Sequence, residues 1–179
     1  MIILTGASAS GKTEVCKSLC FRYGYKKFVT TTTRAPRVGE IDGVDYYFIS
    51  KEEFLKKIDN NEFIEHVCYN GNYYGTEKIH IEQNAVLVVE PNGLKAFRAL
   101  NDSSIVSFVL ESSQETRKRR MILRGDDIEA INYRLIIDEN NFSKEKVIDA
   151  DYFVDSEKVT ILKLAEQIND LYNKKRKDD

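Results

Sequence analysis

Eight consecutive residues, Gly6-Ala7-Ser8-Ala9-Ser10-Gly11-Lys12-Thr13, satisfy the pattern G-x-x-x-x-G-K-[ST] in full. Each fixed position has a chemical reason. Gly6 and Gly11 permit backbone angles and a close approach that a Cβ would forbid. Successive backbone N–H groups can then form a concave anion site that leads into a helix N-terminus. Lys12 brings a positive charge to the β- and γ-phosphates of a nucleotide, and Thr13 offers a hydroxyl to Mg2+. A plain glycine turn with an exposed lysine would leave the context unexplained, because an apolar run precedes the loop and a helical pattern follows. Phosphate binding is therefore expected. The substrate is not, since hydrolytic switches, motors and small-molecule kinases all use such a loop.

The elements that must hold this loop read as α/β. Ile2–Leu4 is a buried strand, and Thr13 to about Tyr23 is a helix with Val15, Leu19 and Phe21 among its apolar positions and Gly24 as its stop. Further strands are expected at Phe28–Thr33, Val44–Ile49, Phe63–Tyr69, Tyr73–Thr76, Ala85–Val89, Ile105–Leu110 and Tyr152–Val154. Helices are expected at Lys51–Asn60, opened by a Ser50/Glu53 capping box, and at Lys78–Gln83, Gly93–Leu100, Ser113–Leu123, Asp126–Asn140 and Val159–Tyr172. The run Lys174–Lys177 reads as a solvated tail. Buried strands alternating with helices imply a doubly wound, mostly parallel sheet. The tyrosine-rich stretch Thr30–Gln83 breaks that rhythm and reads as an inserted, strand-rich subdomain.

Composition sets bounds. The chain has 179 residues and a formal net charge of −2, so nothing global points to nucleic acid or membrane. No apolar run approaches the ~18 residues of a membrane span, and Met1–Leu4 is too short for a signal peptide's apolar core; a cytoplasmic protein is the default expectation. The three cysteines, Cys16, Cys20 and Cys68, form no disulfide framework. Cys16 and Cys20 read as small packing residues, and His66 and His80 as surface or packing residues rather than metal ligands.

Three further segments carry a resemblance. Val29–Glu40 with Asp42–Phe48, then Asn60–Glu65, then Gly71–Thr76 resemble guanylate kinases in order and spacing. With the phosphate loop and the basic helix before Arg124, the resemblance covers nearly the whole chain. It implies an inserted GMP-binding part at residues 30–83, a lid at 115–140, and a core made of 1–29, 84–114 and 141–179. The chemistry agrees. Arg34 and Arg37, on a proline-containing loop, can fork onto a monophosphate, with hydroxyls from Tyr46 and Tyr74. Glu65 only accepts hydrogen bonds, which suits the N1–H and N2–H2 edge of guanine. Thr30 and Thr76 can bond O6 or its neighbours; the family often has serine there. Standing alone, these arginines would be a solvated loop, the tyrosines packing residues, and Glu65 a surface carboxylate.

Arg117-Lys118-Arg119-Arg120, Arg124 and Arg134 resemble the family's lid, whose arginines close over the transferring phosphates. Helical spacing puts Arg120 and Arg124 on one face. A basic helix contacting RNA would want stacking aromatics, which this cluster lacks. One departure stands out. Many guanylate kinases have two acids, two residues apart, after the buried strand; here those positions are Val88 and Glu90. Period two places both on one face, so Glu90 is expected near Mg2+ or the acceptor phosphate, and an acid restored at Val88 should be tolerated. The expectation is ATP-dependent phosphorylation of GMP and dGMP by direct in-line transfer with Mg2+, by a monomer or weak homodimer. A kinase for another small phosphorylated acceptor, or a non-catalytic binding module of the same fold, are the alternatives.

Overall fold

The computed structural model describes residues 1–37, 39–69, 71–78 and 84–178. Its first half runs β1 (Ile2–Thr5), α1 (Lys12–Tyr23), β2 (Lys26–Lys27), β3 (Thr31–Thr32), β4 (Tyr47–Phe48), α2 (Lys51–Asp59), β5 (Phe63–Tyr69) and β6 (Asn72–Glu77). There follow β7 (Ala85–Val88), α3 (Pro91–Arg98), β8 (Val106–Glu111), α4 (Gln114–Leu123), α5 (Ile128–Asn141), α6 (Lys144–Val147), β9 (Tyr152–Asp155) and α7 (Ile161–Asp178). The chain divides into two compact units, Met1–Lys27 with Gln83–Asp179, and Phe28–Glu82.

The first unit is built on a five-stranded sheet, ordered β2-β7-β1-β8-β9, with every pairing parallel. Strand β1 lies between two neighbours and is buried on both faces, which is why it reads as an unbroken apolar run rather than an alternation. Its face carries Ile2 and Leu4 into a core with Val15, Leu19, Val106, Phe108, Leu164 and Ile168. Helix α1 begins directly after Gly11 and ends at Gly24, both in the left-handed region. Pro91 opens α3 at its first turn, where a missing N–H costs nothing. Ser113 and Asp127 cap α4 and α5 by accepting the N–H of Thr116 and of Ala130.

The second unit holds a four-stranded sheet, ordered β4-β3-β6-β5, in which β4 pairs with β3 in parallel and the other pairings are antiparallel. Helix α2 starts in the expected Ser50/Glu53 capping box. It buries Phe54 fully, with that ring stacked on Phe63 at 4.4 Å. The two rings fill the space above Gly75, where a Cβ would meet the Phe63 ring at 2.7 Å.

Several expectations are corrected. Regular pairing within Phe28–Thr33 is confined to β3, and within Val44–Ile49 to β4, because side-chain and turn hydrogen bonds take up the flanking backbone: Asp42 accepts the Phe48 N–H, and Thr32 Oγ accepts that of Arg34. The edge strand β2 and the short helix α6 carry no strong periodic signal. The basic run Lys174–Lys177 is the last turn of α7, where cations favour the negative helix end. Phe21 is 91% exposed, so it does not belong to a core. The helix expected at Lys78–Gln83 lies largely outside the described residues, as does His80; Lys78 is in neither helix nor strand. Cys16 is buried, Cys20 half-buried and Cys68 exposed. Among the described residues no cluster of His, Cys, Asp or Glu could hold a metal on its own.

Candidate functional site

The loop between β1 and α1 needs its first glycine for a physical reason. Gly6 has φ +145°, and a Cβ there would stand 2.6 Å from the Leu110 carbonyl oxygen of β8. Ala9 takes a left-handed φ of 62° and packs against Met121, Ile131 and Leu135 of α4 and α5. The Lys12 ammonium turns back into the loop, donating to the carbonyls of Gly6 at 2.5 Å and Ala7 at 3.0 Å. Burial pushes the Lys12 pKa down, opposed by the carboxylates of Glu90 and Asp138 and assisted by Arg117 and Arg124. Thr13 is exposed in the first turn of α1. The Ser10 hydroxyl is buried with no hydrogen-bond partner among the described residues. A cation resting on carbonyl oxygens, beside a row of amides, is an arrangement suited to polyphosphate.

Helices α4 and α5 close on the same loop. Arg120 donates to the carbonyls of Ala9 at 3.1 Å and Ser156 at 2.6 Å. Arg124 and Arg134 both bind Asp126, at 2.5–2.8 Å, and Arg124 holds the Asp126 carboxyl below its ordinary range. Arg120 and Arg124 do not act from one helix face, as their spacing suggests. Helix α4 stops at Leu123, Arg124 is its C-cap, and the two guanidinium groups go to different partners. A third pair is buried: Arg117 to Asp138 at 2.9 Å, with Asp138 also accepting the Ser8 N–H at 2.8 Å. Asp126 and Asp138 carry no motif signal. Their only hint in the sequence is an acid near each basic cluster.

In the second unit Arg34 is held on three sides. Its guanidinium binds Glu40 at 2.8 and 2.9 Å and lies over the rings of Tyr46 at 5.4 Å and Phe48 at 5.8 Å. Tyr46 and Tyr74 meet edge to face at 6.2 Å. Arg37 is exposed, and its N–H donates to Glu40 at 2.7 Å. On the same sheet Glu65 accepts the Thr76 hydroxyl at 2.6 Å, and burial pushes its carboxyl pKa up against the opposing effect of Thr76. Thr30 contributes its carbonyl to the Tyr47 N–H and is half-buried. The structure thus gathers Arg34, Tyr46 and Tyr74, and separately Glu65 and Thr76. It adds Glu40, which the sequence reading left without a role.

A model of the guanylate kinase family matches residues 1–170. The chain belongs to the guanylate kinase family. It is 36% identical over 167 residues to guanylate kinase of Clostridioides difficile (strain 630), covering 89% of this chain and 80% of that one. It is 37% identical over 134 residues to guanylate kinase of Clostridium perfringens (strain SM101 / Type A), covering 71% of this chain. It spans 62% of the length of that relative. The crystal structure of guanylate kinase from Anaplasma phagocytophilum superposes with a TM-score of 0.68 at 28% identity, over 97% of this chain and 84% of that one.

As a guanylate kinase family member, the chain departs from the sequence expectation at Val88. Pairing of β7 ends there, and Pro91 already opens α3, so Glu90 is the extended residue at the N-cap position of that helix, with no side-chain capping bond, rather than a strand position. Val88 packs against the core cluster while Glu90 is exposed. An acid at the half-buried Val88 would lie beside apolar side chains of the core cluster, which sets a packing cost against the expected tolerance. Glu90 nonetheless lies close enough to Lys12 for its charge to favour the protonated ammonium.

Proposed function

We propose that this protein transfers the γ-phosphoryl group of ATP to GMP, and to dGMP, giving ADP and the nucleoside diphosphate by direct in-line displacement. The observation that carries this reading is the intact Gly6–Thr13 loop with Lys12 turned into it. A binding module of the same fold has no use for that lysine. The phosphate nucleophile is already ionised near neutral pH, so no strong general base is required. Catalysis then rests on positioning and on charge: Lys12, Arg120, Arg124 and Arg134 toward the transferring phosphoryl group, Arg34 and Arg37 with Tyr46 and Tyr74 on the acceptor phosphate. Gly6, Ala7, Ser8, Ala9, Ser10 and Gly11 present the loop to ATP. Glu65 reads the guanine edge, with Thr76 and Thr30 beside it.

Kinase sites hold Mg2+ through one or two protein oxygens plus substrate phosphates. The exposed Thr13 hydroxyl fits that donor set, with Glu90 as the nearby carboxylate, and the ion would neutralise charge on the phosphoryl oxygens. In this reading residues 30–83 form the GMP-binding part and 115–140 the lid, whose closure excludes water and suppresses ATP hydrolysis. No described helix is long and apolar enough to cross a membrane, and the proposed site of action is the cytoplasm. The test is ADP release measured in turn with GMP, dGMP, AMP, CMP and UMP. GMP and dGMP should be turned over and the others only marginally; turnover of all five alike, or of none, overturns the reading.

A further inference from the structure

Asp138 puts a carboxylate where the phosphate loop is built to take an anion. It projects from α5, is 7% exposed, and accepts the Ser8 N–H at 2.8 Å. Amides of such a loop are the groups that phosphate oxygens take up. The same carboxylate carries Arg117, 5% exposed, at 2.9 Å. Its charge also reaches Lys12, and the Phe142 ring at the end of α5 lies 5.9 Å from the Lys12 ammonium.

The pair is poorly explained as a stabilising device. A buried ion pair gains little over apolar residues of similar size unless all its hydrogen bonds are made. Here Arg117 Nε is buried with no partner among the described residues. The helices it joins already have an apolar contact through Met121, Ile131 and Leu135. What an apolar pair could not do is occupy a backbone amide of the loop.

We propose that Asp138, neutralised by Arg117, is a positioning latch: it fills the Ser8 amide and ties α5 to the phosphate loop in the nucleotide-free protein, and the terminal phosphates of ATP displace it. This rests on the ATP reading above. Carboxylate and phosphate need the same N–H and repel each other, so only one occupies it. Phosphate binding is thereby linked to release of the helix that carries Arg134. By linkage, the latch weakens ATP binding by the free energy needed to open it.

The test replaces the pair by apolar groups, Arg117→Leu with Asp138→Ala, and measures Kd for ATP, tripolyphosphate and GMP alongside the thermal midpoint. The expected result is ATP and tripolyphosphate binding about 5–10-fold tighter, GMP binding unaltered, and a midpoint that does not fall. A structural role alone would give a lower midpoint and weaker binding. Asp138→Asn is the second variant, since it keeps an acceptor for Ser8 and removes the charge; tighter tripolyphosphate binding is again expected. In the wild type, the Ser8 amide resonance should shift on tripolyphosphate addition. Unchanged or weaker phosphate binding in both variants overturns the latch while leaving the kinase reading intact. A wild type that binds neither ATP nor tripolyphosphate overturns both.

Discussion

Glu40 ties together the two arginines of its loop: it binds the Arg34 guanidinium at 2.8 and 2.9 Å and accepts the Arg37 N–H at 2.7 Å. The Arg34 hydrogen bond is the main cause that holds the Glu40 carboxyl below its ordinary range. Removing the charge in Glu40→Gln should loosen Arg34 and raise KM for GMP about tenfold, with a smaller change in kcat, since one charge-assisted contact is worth roughly 1.5–3 kcal/mol. The pH dependence has a definite sign. A carboxyl whose folded pKa is depressed contributes stability above its unfolded pKa of about 4.3, and that contribution is lost as pH falls through the lower folded value. The difference in Tm between wild type and Glu40→Gln should therefore be full at neutral pH and close progressively below about pH 4.3. A difference that stays constant down through the acid range would show that the ion pair does not matter to folding.

Lys12 rests on the Gly6 and Ala7 carbonyls of the phosphate loop. In the proposed reading Lys12→Ala removes a donor that acts on the phosphoryl group in flight. Turnover should drop by about 10²–10³, with GMP affinity preserved. Full turnover in that variant would remove the loop from the catalytic site.

The parts of this molecule legible in its sequence are those where local pattern and tertiary demand coincide. The run Ile2–Leu4 is apolar because β1 is buried on both faces, and the Ser50/Glu53 box caps α2 as its spacing requires. The short strands β3 and β4 were overextended by propensity, because Asp42 and Thr32 side chains capture backbone N–H groups that a longer ladder would have used. In the candidate site, the cations were visible and their anions were not. Glu40, Asp126 and Asp138 each owe their meaning to contacts made across loops or between helices. Spacing misled at two termini. Arg124 lies just past the end of α4, and Glu90 just past the end of β7, so helical and strand periodicity stop before reaching them.

Glu90 and Val88 separate function from packing. Glu90 is exposed at the start of α3, and its charge acts on Lys12. Glu90→Gln should lower kcat sharply across a Mg2+ titration while leaving Tm almost unmoved, because surface substitutions usually change stability by less than about 0.5 kcal/mol. Val88→Asp should do the reverse. It introduces a carboxylate among core side chains, at a cost of roughly 1–3 kcal/mol in stability, and brings no gain in turnover. Equal Tm for wild type and Val88→Asp would contradict the packing argument, and wild-type kinetics for Glu90→Gln would contradict the functional one.

In the proposed reading base selectivity rests on Glu65, where burial works against stability and toward recognition. The Glu65 carboxyl is raised above its ordinary pKa mainly by desolvation, with the Thr76 hydroxyl opposing. For a carboxyl raised in this way, folding is favoured below the unfolded pKa of about 4.3, and the advantage is lost as pH rises through the folded value. At neutral pH the ionised group is therefore a cost in the free protein, and Glu65→Ala should not lower Tm through loss of its charge. The benefit appears on binding. Guanine offers N–H donors at positions 1 and 2 to the desolvated carboxylate; adenine offers an acceptor at N1 and nothing at C2. Sites built on such pairing reject the mismatched base by about 10⁴–10⁵. The wild type should prefer GMP over AMP strongly, and kcat/KM for GMP should fall on the acid side at a pH above the ordinary carboxylate range. Glu65→Ala should collapse the GMP-to-AMP ratio, remove that acid limb and leave ATP affinity unaltered. The measurement is kcat/KM for both acceptors in both proteins from pH 4 to 8 with ATP saturating. Equal losses for GMP and AMP in the variant would mean that Glu65 does not read the base.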